Sequence, residues 1–257
     1  SEMCIRDRPG VALAAAKSGV AMRPILDLDA YRDDLSRFVF RSGMLMKPMF
    51  EAARATKRRL VLAEGEGGKM LQACQLIVSE NLADVTLVGR RKVIEEKIQS
   101  MSLSIQAGKD FQIVDNLDDA VITPIGEEYH ALMARQGMTP KAAQTRVRAN
   151  TTVVASMLLR RGDADAMLCG TFGTYGKHLR LAEEIIGRRD GSPVVGAMTV
   201  LILPQGTIFL TDTHVNLDPT AEQLCELGKL AADEIRRFGI QPKAAFLSHS
   251  NFGSQNT

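Results

Sequence analysis

Apolar and polar positions along the chain follow two periods in turn. Leu60 to Ala63 is a short apolar run, followed by Glu64-Gly65-Glu66-Gly67-Gly68 and then by Met70, Leu71, Cys74, Ile77 and Val78 at helical spacing. Runs of the first kind predict buried strands, and the second spacing predicts a helix with one apolar face. Val85 to Val88, closed by Gly89, repeats the unit, with Val93, Ile94 and Ile98 on its helix. Phe111 to Val114 is a third strand. Helical patterns run from Asp118 to Arg135 and from Pro140 to Arg161. Thr139-Pro140 opens the latter with a cap residue and a proline at the first helical position. Ala166 to Cys169 is the next strand and Thr174 to Ile186 the next helix. Strand and helix alternating at this length predict an α/β fold, a parallel sheet covered by helices.

Beyond residue 190 the pattern changes. Val194 to Leu203 and Thr207 to Leu210 are apolar runs joined by Pro204-Gln205-Gly206, which predicts a hairpin. A helix is expected from Pro219 to Phe238, then a strand at Ala244 to Leu247. Gly187-Arg188-Arg189-Asp190-Gly191-Ser192-Pro193 is the best linker. The ends read differently from the rest. Residues 1–8, SEMCIRDR, carry no apolar period and are expected to be a non-native scar, and the C-terminal lobe is read as truncated.

Composition narrows the classes. The 257 residues are 45% hydrophobic and 24% charged, the mix of a globular protein. Thirty-two basic against 30 acidic residues leave +2, with no run of five basic residues and no Trp, which argues against a nucleic-acid partner. The apolar stretch Val11 to Ala16 is far short of the roughly 18 residues that span a bilayer. Cys4, Cys74, Cys169 and Cys225 are scattered, without a C-x-x-C pair, and read as free thiols in a reducing, cytoplasmic setting.

Three loops offer chemistry. Gly65-Glu66-Gly67-Gly68-Lys69 departs from phosphate-loop spacing, and Glu64 and Glu66 would repel an anion, so a strand-to-helix turn is the better reading. Gly170-Thr171-Phe172-Gly173-Thr174-Tyr175-Gly176 is more specific. It follows a strand and opens a helix, where backbone N–H groups favour an anion, and Thr174, Lys177 and Arg180 can add hydroxyl and positive charge. Ser248-His249-Ser250-Asn251-Phe252-Gly253-Ser254 follows the last expected strand in the same way. Its small donors suit a phosphate or a pantetheine-like chain, and adjacent Ser248 and His249 would point to opposite faces, against a hydrolase pair. Asp212, His214 and Asp218 could ligate a metal, but Asp218-Pro219 or the Thr220/Gln223 pair explains part of that stretch as a helix start.

These residues carry a resemblance. TDTHVNLDPTAEQL (211–224) and SHSNFGS (248–254) resemble segments of phosphate acetyltransferases, and GTFGTYGKHLR (170–180) fits their substrate loop, with Arg180 at the position of an anion-binding arginine. FVFRSGMLMKPMFEAA (38–53) is similar to the joint that precedes such a region in large NADP-dependent malic enzymes. The resemblance implies a two-lobed phosphate acetyltransferase-like fold, parallel sheets flanked by helices, with the second lobe incomplete. It assigns 9–37 to the tail of a nucleotide-binding domain and linker, 38–189 to lobe 1 and 190–257 to lobe 2. It further implies that Thr174, Arg180, Ser248, Ser250, Asn251, Gly253 and Ser254 bind acetyl-CoA or acetyl phosphate. The transferases carry a small hydroxyl and an acid where this loop has Tyr175 and Lys177, so binding without acetyl transfer is expected, and no catalytic residue or metal ligand is assigned. NADP and a divalent metal (Mg or Mn) would belong to the parent enzyme upstream, and self-association into a homo-oligomer is expected. The alternative is a piece of an active phosphate acetyltransferase.

Overall fold

The computed structural model describes residues 2–21, 25, 27, 28, 30, 31, 46–203 and 205–247, with the side chains of residues 2–8 left out. Residues 38–45 of the expected joint at 38–53, and the loop at 248–254, therefore lie outside the described residues. The chain divides into two compact units, Glu51–Pro193 and Ser1–Phe50 with Val194–Thr257.

Two helices come first, α1 (Glu2–Lys17) and α2 (46–55). α1 runs through residues 2–8 and through Pro9. The unit Glu51–Pro193 then holds β1 (Arg58–Leu62), α3 (Gly68–Ser79), β2 (Ala83–Val88), α4 (Arg91–Ser100), β3 (Phe111–Val114) and α5 (Asp119–Met133). A 3-10 turn at Ala134–Gln136 leads to α6 (Pro140–Ala149), α7 (Thr151–Arg161), β4 (Ala166–Leu168) and α8 (Tyr175–Ile185). All strand pairs are parallel, in the order β3-β2-β1-β4.

Strand alternation sends neighbouring side chains to opposite faces, so the sheet has two cores. Leu62, Val85 and Leu87 pack with Leu71, Cys74, Ile94 and Ile98 of α3 and α4. Val61, Ala63 and Val88 face α5 to α8, with Ile122, Tyr129, Val147, Val154 and Ile185 buried. The result is three layers.

The helix expected over Pro140–Arg161 is two helices. Asn150 breaks it, with extended φ −136° and ψ 101°, and its side chain accepts from the amides of Thr152 and Val153. A short amide that caps the next helix competes with continuing the first one.

In the second unit, β5 (Met198–Leu203) and β6 (Gly206–Thr211) form the expected antiparallel hairpin. One face packs toward α9 (Ala221–Arg237), where the Phe209 and Phe238 rings lie 5.6 Å apart. The other exposes Leu201, Leu203, Ile208 and Leu210. Ala244–Leu247 is not a strand. No partner strand lies beside it among the described residues, and Phe246 and Leu247 are 69% and 87% exposed. An extended segment without a ladder partner has no hydrogen bonds to define a strand. Among the described residues, no helix is long and apolar enough to cross a membrane.

Candidate functional site

The strand order creates a switch point. From β1 the chain steps outward to β2 and β3, then returns to place β4 on the other side of β1. Ligands of open α/β sheets bind beyond the carboxyl ends of strands at such a point. Here the segments leaving β1 and β4 are Glu64–Gly68 and Gly170–Gly176, the two glycine loops of the sequence.

Leu62 pairs with Leu168, so Glu64 and Gly170, each two residues further on, come side by side. The Glu64 carboxylate accepts from the Gly170 amide at 2.9 and 3.1 Å, and from the Thr171 amide at 3.2 Å and hydroxyl at 3.0 Å. Gly170 has φ +102°, a left-handed value that glycine adopts without strain and that turns successive amides toward one point. His178, on the first turns of α8, lies behind this pair. Its Nε2 is 2.6 Å from the Phe172 carbonyl oxygen, which only accepts, so Nε2 carries a proton. Its Nδ1 is 3.0 Å from Thr152 Oγ1 and 3.9 Å from Glu64 Oε1.

The neighbouring loop is closed in the same manner. Arg90 grips Glu66 through Nε at 2.8 Å and Nη2 at 2.7 Å, and Lys97 Nζ donates to the Glu66 carbonyl at 2.6 Å. The guanidinium holds the Glu66 carboxyl below its ordinary range. A Cβ on Gly65 would come within 2.9 Å of Leu87 Cβ and Val88 O, so this glycine serves close approach to β2. The turn reading of 65–69 is the one that fits. Both acids are engaged by donors of the fold: Glu66 is paired with the Arg90 guanidinium, whereas Glu64 takes only neutral N–H and O–H donors and keeps its negative charge at the loop. A cavity of about 670 Å³ opens here, lined by Glu64, Glu66, Lys69, Lys97, Asn116 and Phe172 among others.

Thr174 is the N-cap of α8, exposed, with no side-chain capping bond. Arg180 is exposed on the same helix, and neither residue lines the cavity. Thr174, Lys177 and Arg180 fall on successive i+3 steps and make one stripe along α8. Ser248, Ser250, Asn251, Gly253 and Ser254 lie outside the described residues. Sequence reasoning overlooked Glu64, His178 and Thr152 as the groups that hold the loop. The register of β1 against β4 was the signal that could have found Glu64, and it is visible only once the strand order is known.

The stretch 211–224 is organised around Asp212. Its carboxylate accepts from the amides of Ala197 at 2.8 Å, Val215 at 3.3 Å and Asn216 at 2.6 Å, and from Asn216 Nδ2 at 2.6 Å. Burial alone would raise the carboxyl, but the amides of Ala197 and Asn216 outweigh it and hold it below the usual range. With both oxygens committed to N–H donors, this donor set does not fit a metal ion, and no group of three or more His, Cys, Asp or Glu positioned for one occurs among the described residues. Of the two helix starts open at the sequence level, the structure forms the second. Thr220 Oγ1 accepts from the Gln223 amide at 3.3 Å, and Gln223 returns a bond to the Thr220 amide at 2.8 Å.

The fold itself is that of the phosphotransacetylases. A Streptococcus pyogenes phosphotransacetylase superposes with TM-score 0.73 at 23% identity, over 83% of this chain and 64% of that one. The chain belongs to the phosphate acetyl/butaryl transferase family, whose profile matches residues 44–257. It is 51% identical over 255 residues to the NADP-dependent malic enzyme of Haemophilus influenzae, 99% of this chain but 34% of that protein. It is also 31% identical over 217 residues to the phosphate acetyltransferase of Clostridium acetobutylicum, 82% of this chain and 64% of that protein. The chain thus spans about a third of the length of the malic enzyme it matches.

Proposed function

We propose that this chain is the acetyl-CoA- or acetyl-phosphate-binding regulatory region of a cytoplasmic malic enzyme that oxidatively decarboxylates malate with NADP. The observation that carries this reading is the 51% identity over 99% of the chain to a malic enzyme, including residues ahead of the transferase match at 44. NADP and a divalent metal, Mg or Mn, would be held by the parent protein outside this region. Within it, Thr174 and Arg180 present hydroxyl and guanidinium on the stripe along α8, and the small donors Ser248, Ser250, Asn251, Gly253 and Ser254 would complete the ligand site. Tyr175 and Lys177 stand in the loop where an acetyl-transferring site would keep smaller or acidic groups, so binding proceeds without transfer. The subunits self-associate through this or another region of the parent.

Arg180 has no hydrogen bond or ion pair among the described residues, so its guanidinium is available to grip a phosphate through two bonds. Calorimetric titration with acetyl-CoA tests this. Arg180→Ala should weaken binding about ten- to a hundredfold, from a charge-assisted contact of roughly 1.5–3 kcal/mol. Unchanged affinity removes Arg180 from the site. A second reading, a piece of an active phosphate acetyltransferase, is favoured by the 31% identity to the Clostridium acetobutylicum protein. Acetyl-CoA formation from acetyl phosphate and CoA by the wild-type chain would select it over the first.

A further inference from the structure

We infer that Glu64 is the resident anion of the Gly170–Thr171 loop, a side chain that fills the ligand position of the sheet's switch point and so positions the loop from which α8 starts. Three observations converge. The switch point lies between β1 and β4, where an external anion would be received by the loop after β4. The donors such an anion would use, the amides of Gly170 and Thr171 and the Thr171 hydroxyl, all reach Glu64 within 3.2 Å. The Glu64 side chain is only 13% exposed, and among the described residues no lysine or arginine pairs with it, so these N–H and O–H donors hold the buried carboxylate. A carboxylate placed so takes its stabilisation from the loop, and the loop takes its shape from the carboxylate.

The consequence is directional. The 170–171 amides are closed to an incoming phosphoryl group, and the stripe Thr174, Lys177 and Arg180 is what this loop region still offers. That last step rests on the acetyl-CoA reading, whereas the role of Glu64 does not.

Chemical rescue tests the role. Glu64→Ala deletes a CH2–COO− unit, and free acetate has the same size and charge. In the 257-residue chain, acetate and chloride at equal ionic strength should shift the wild-type Tm equally. Glu64→Ala should melt lower, and acetate alone should raise its Tm along a saturating curve, as expected for a ligand of the folded state. Glu64→Gln, whose amide fills the volume and turns an NH2 toward the loop amides, should melt lower and not be rescued. The rescue should persist in Glu64→Ala/Arg180→Ala, which separates this site from binding at Arg180. Equal responses to acetate and chloride in Glu64→Ala, or rescue abolished by Arg180→Ala, would overturn the inference. A measurement with Glu64 in place covers the case in which Glu64→Ala does not fold. The amides of Gly170 and Thr171 should exchange with solvent more slowly than that of Phe172, and in an Arg180→Ala chain their resonances should stay fixed as inorganic phosphate is added. Movement of those two resonances in that chain, where the α8 stripe has lost its guanidinium, would show the loop open to external anions and sink the proposal.

Discussion

Arg90 and Glu66 meet through two parallel hydrogen bonds of 2.8 and 2.7 Å, and the Arg90 amide adds a third to the same carboxylate at 2.9 Å. The contact joins the N-cap of α4 to the loop after β1, two segments that share no sequence pattern. It turns an acid that looked like a barrier to anions into part of the frame. Exposed pairs contribute little on their own, but a bidentate geometry fixes orientation.

That frame needs Gly65 bare. Gly65→Ala would push a methyl to 2.9 Å from Leu87 Cβ and from Val88 O, against a buried strand that cannot move away cheaply. We expect a loss of about 1–3 kcal/mol, the usual range for overpacking, read as a lower urea midpoint at unchanged slope.

Asn150 separates α6 from α7 by capping the latter. Asn150→Ala should cost about 0.5–2 kcal/mol, and Asn150→Gly only a few tenths. Equilibrium unfolding of both variants checks the ranking. No measurable loss in Asn150→Ala would mean that the cap bonds contribute nothing.

Asp212 gives a pH dependence of known sign. Its folded carboxyl titrates below the ordinary aspartate value of about 3.9, so its stabilisation is complete above that pH and is lost as the pH falls through the folded value. Asp212→Asn should be less stable at neutral pH by roughly 1–3 kcal/mol, the loss of hydrogen bonds to a charged acceptor. The two stability curves should converge in acid. Denaturation series from pH 6 downward, with wild type and variant side by side, read the gap directly.

Thiol reactivity should follow burial. Desolvation, with the charge of Asp110, pushes the Cys74 thiol up to about 12, and desolvation beside Glu64 raises Cys169. Cys225 is exposed on α9. Among these three, brief alkylation near neutral pH should label Cys225 first and Cys74 last, as peptide mapping will show. Early labelling of Cys74 would mean that the α3 face of the sheet opens.

Much of this architecture was legible in the chain alone, because it rests on local spacing. The runs at Leu60, Val85, Phe111 and Ala166 mark the four parallel strands; β1 and β2 are apolar at successive positions because both their faces are covered, whereas on the edge strand β4 Leu168 stays half exposed. Thr139 before Pro140 marks the start of α6, because a cap acts within one turn. The anion reading of Gly170–Gly176 rests on the loop's own glycines and the helix it opens, and does not point to Glu64. Glu64 lies 106 residues from Gly170, and no pattern of period two or 3.6 links them. Only the return of β4 beside β1, with its register, brings the carboxylate to those amides. The break at Asn150 is hidden for a related reason, since either continuing the helix or restarting it satisfies the local pattern. Apolarity alone predicts a strand at Ala244–Leu247, yet a strand is defined by hydrogen bonds to a neighbour, and among the described residues no neighbour lies beside it. Periodicity reports which face is apolar. Which charges meet across the sheet edge is decided by topology, because those contacts depend on strand order.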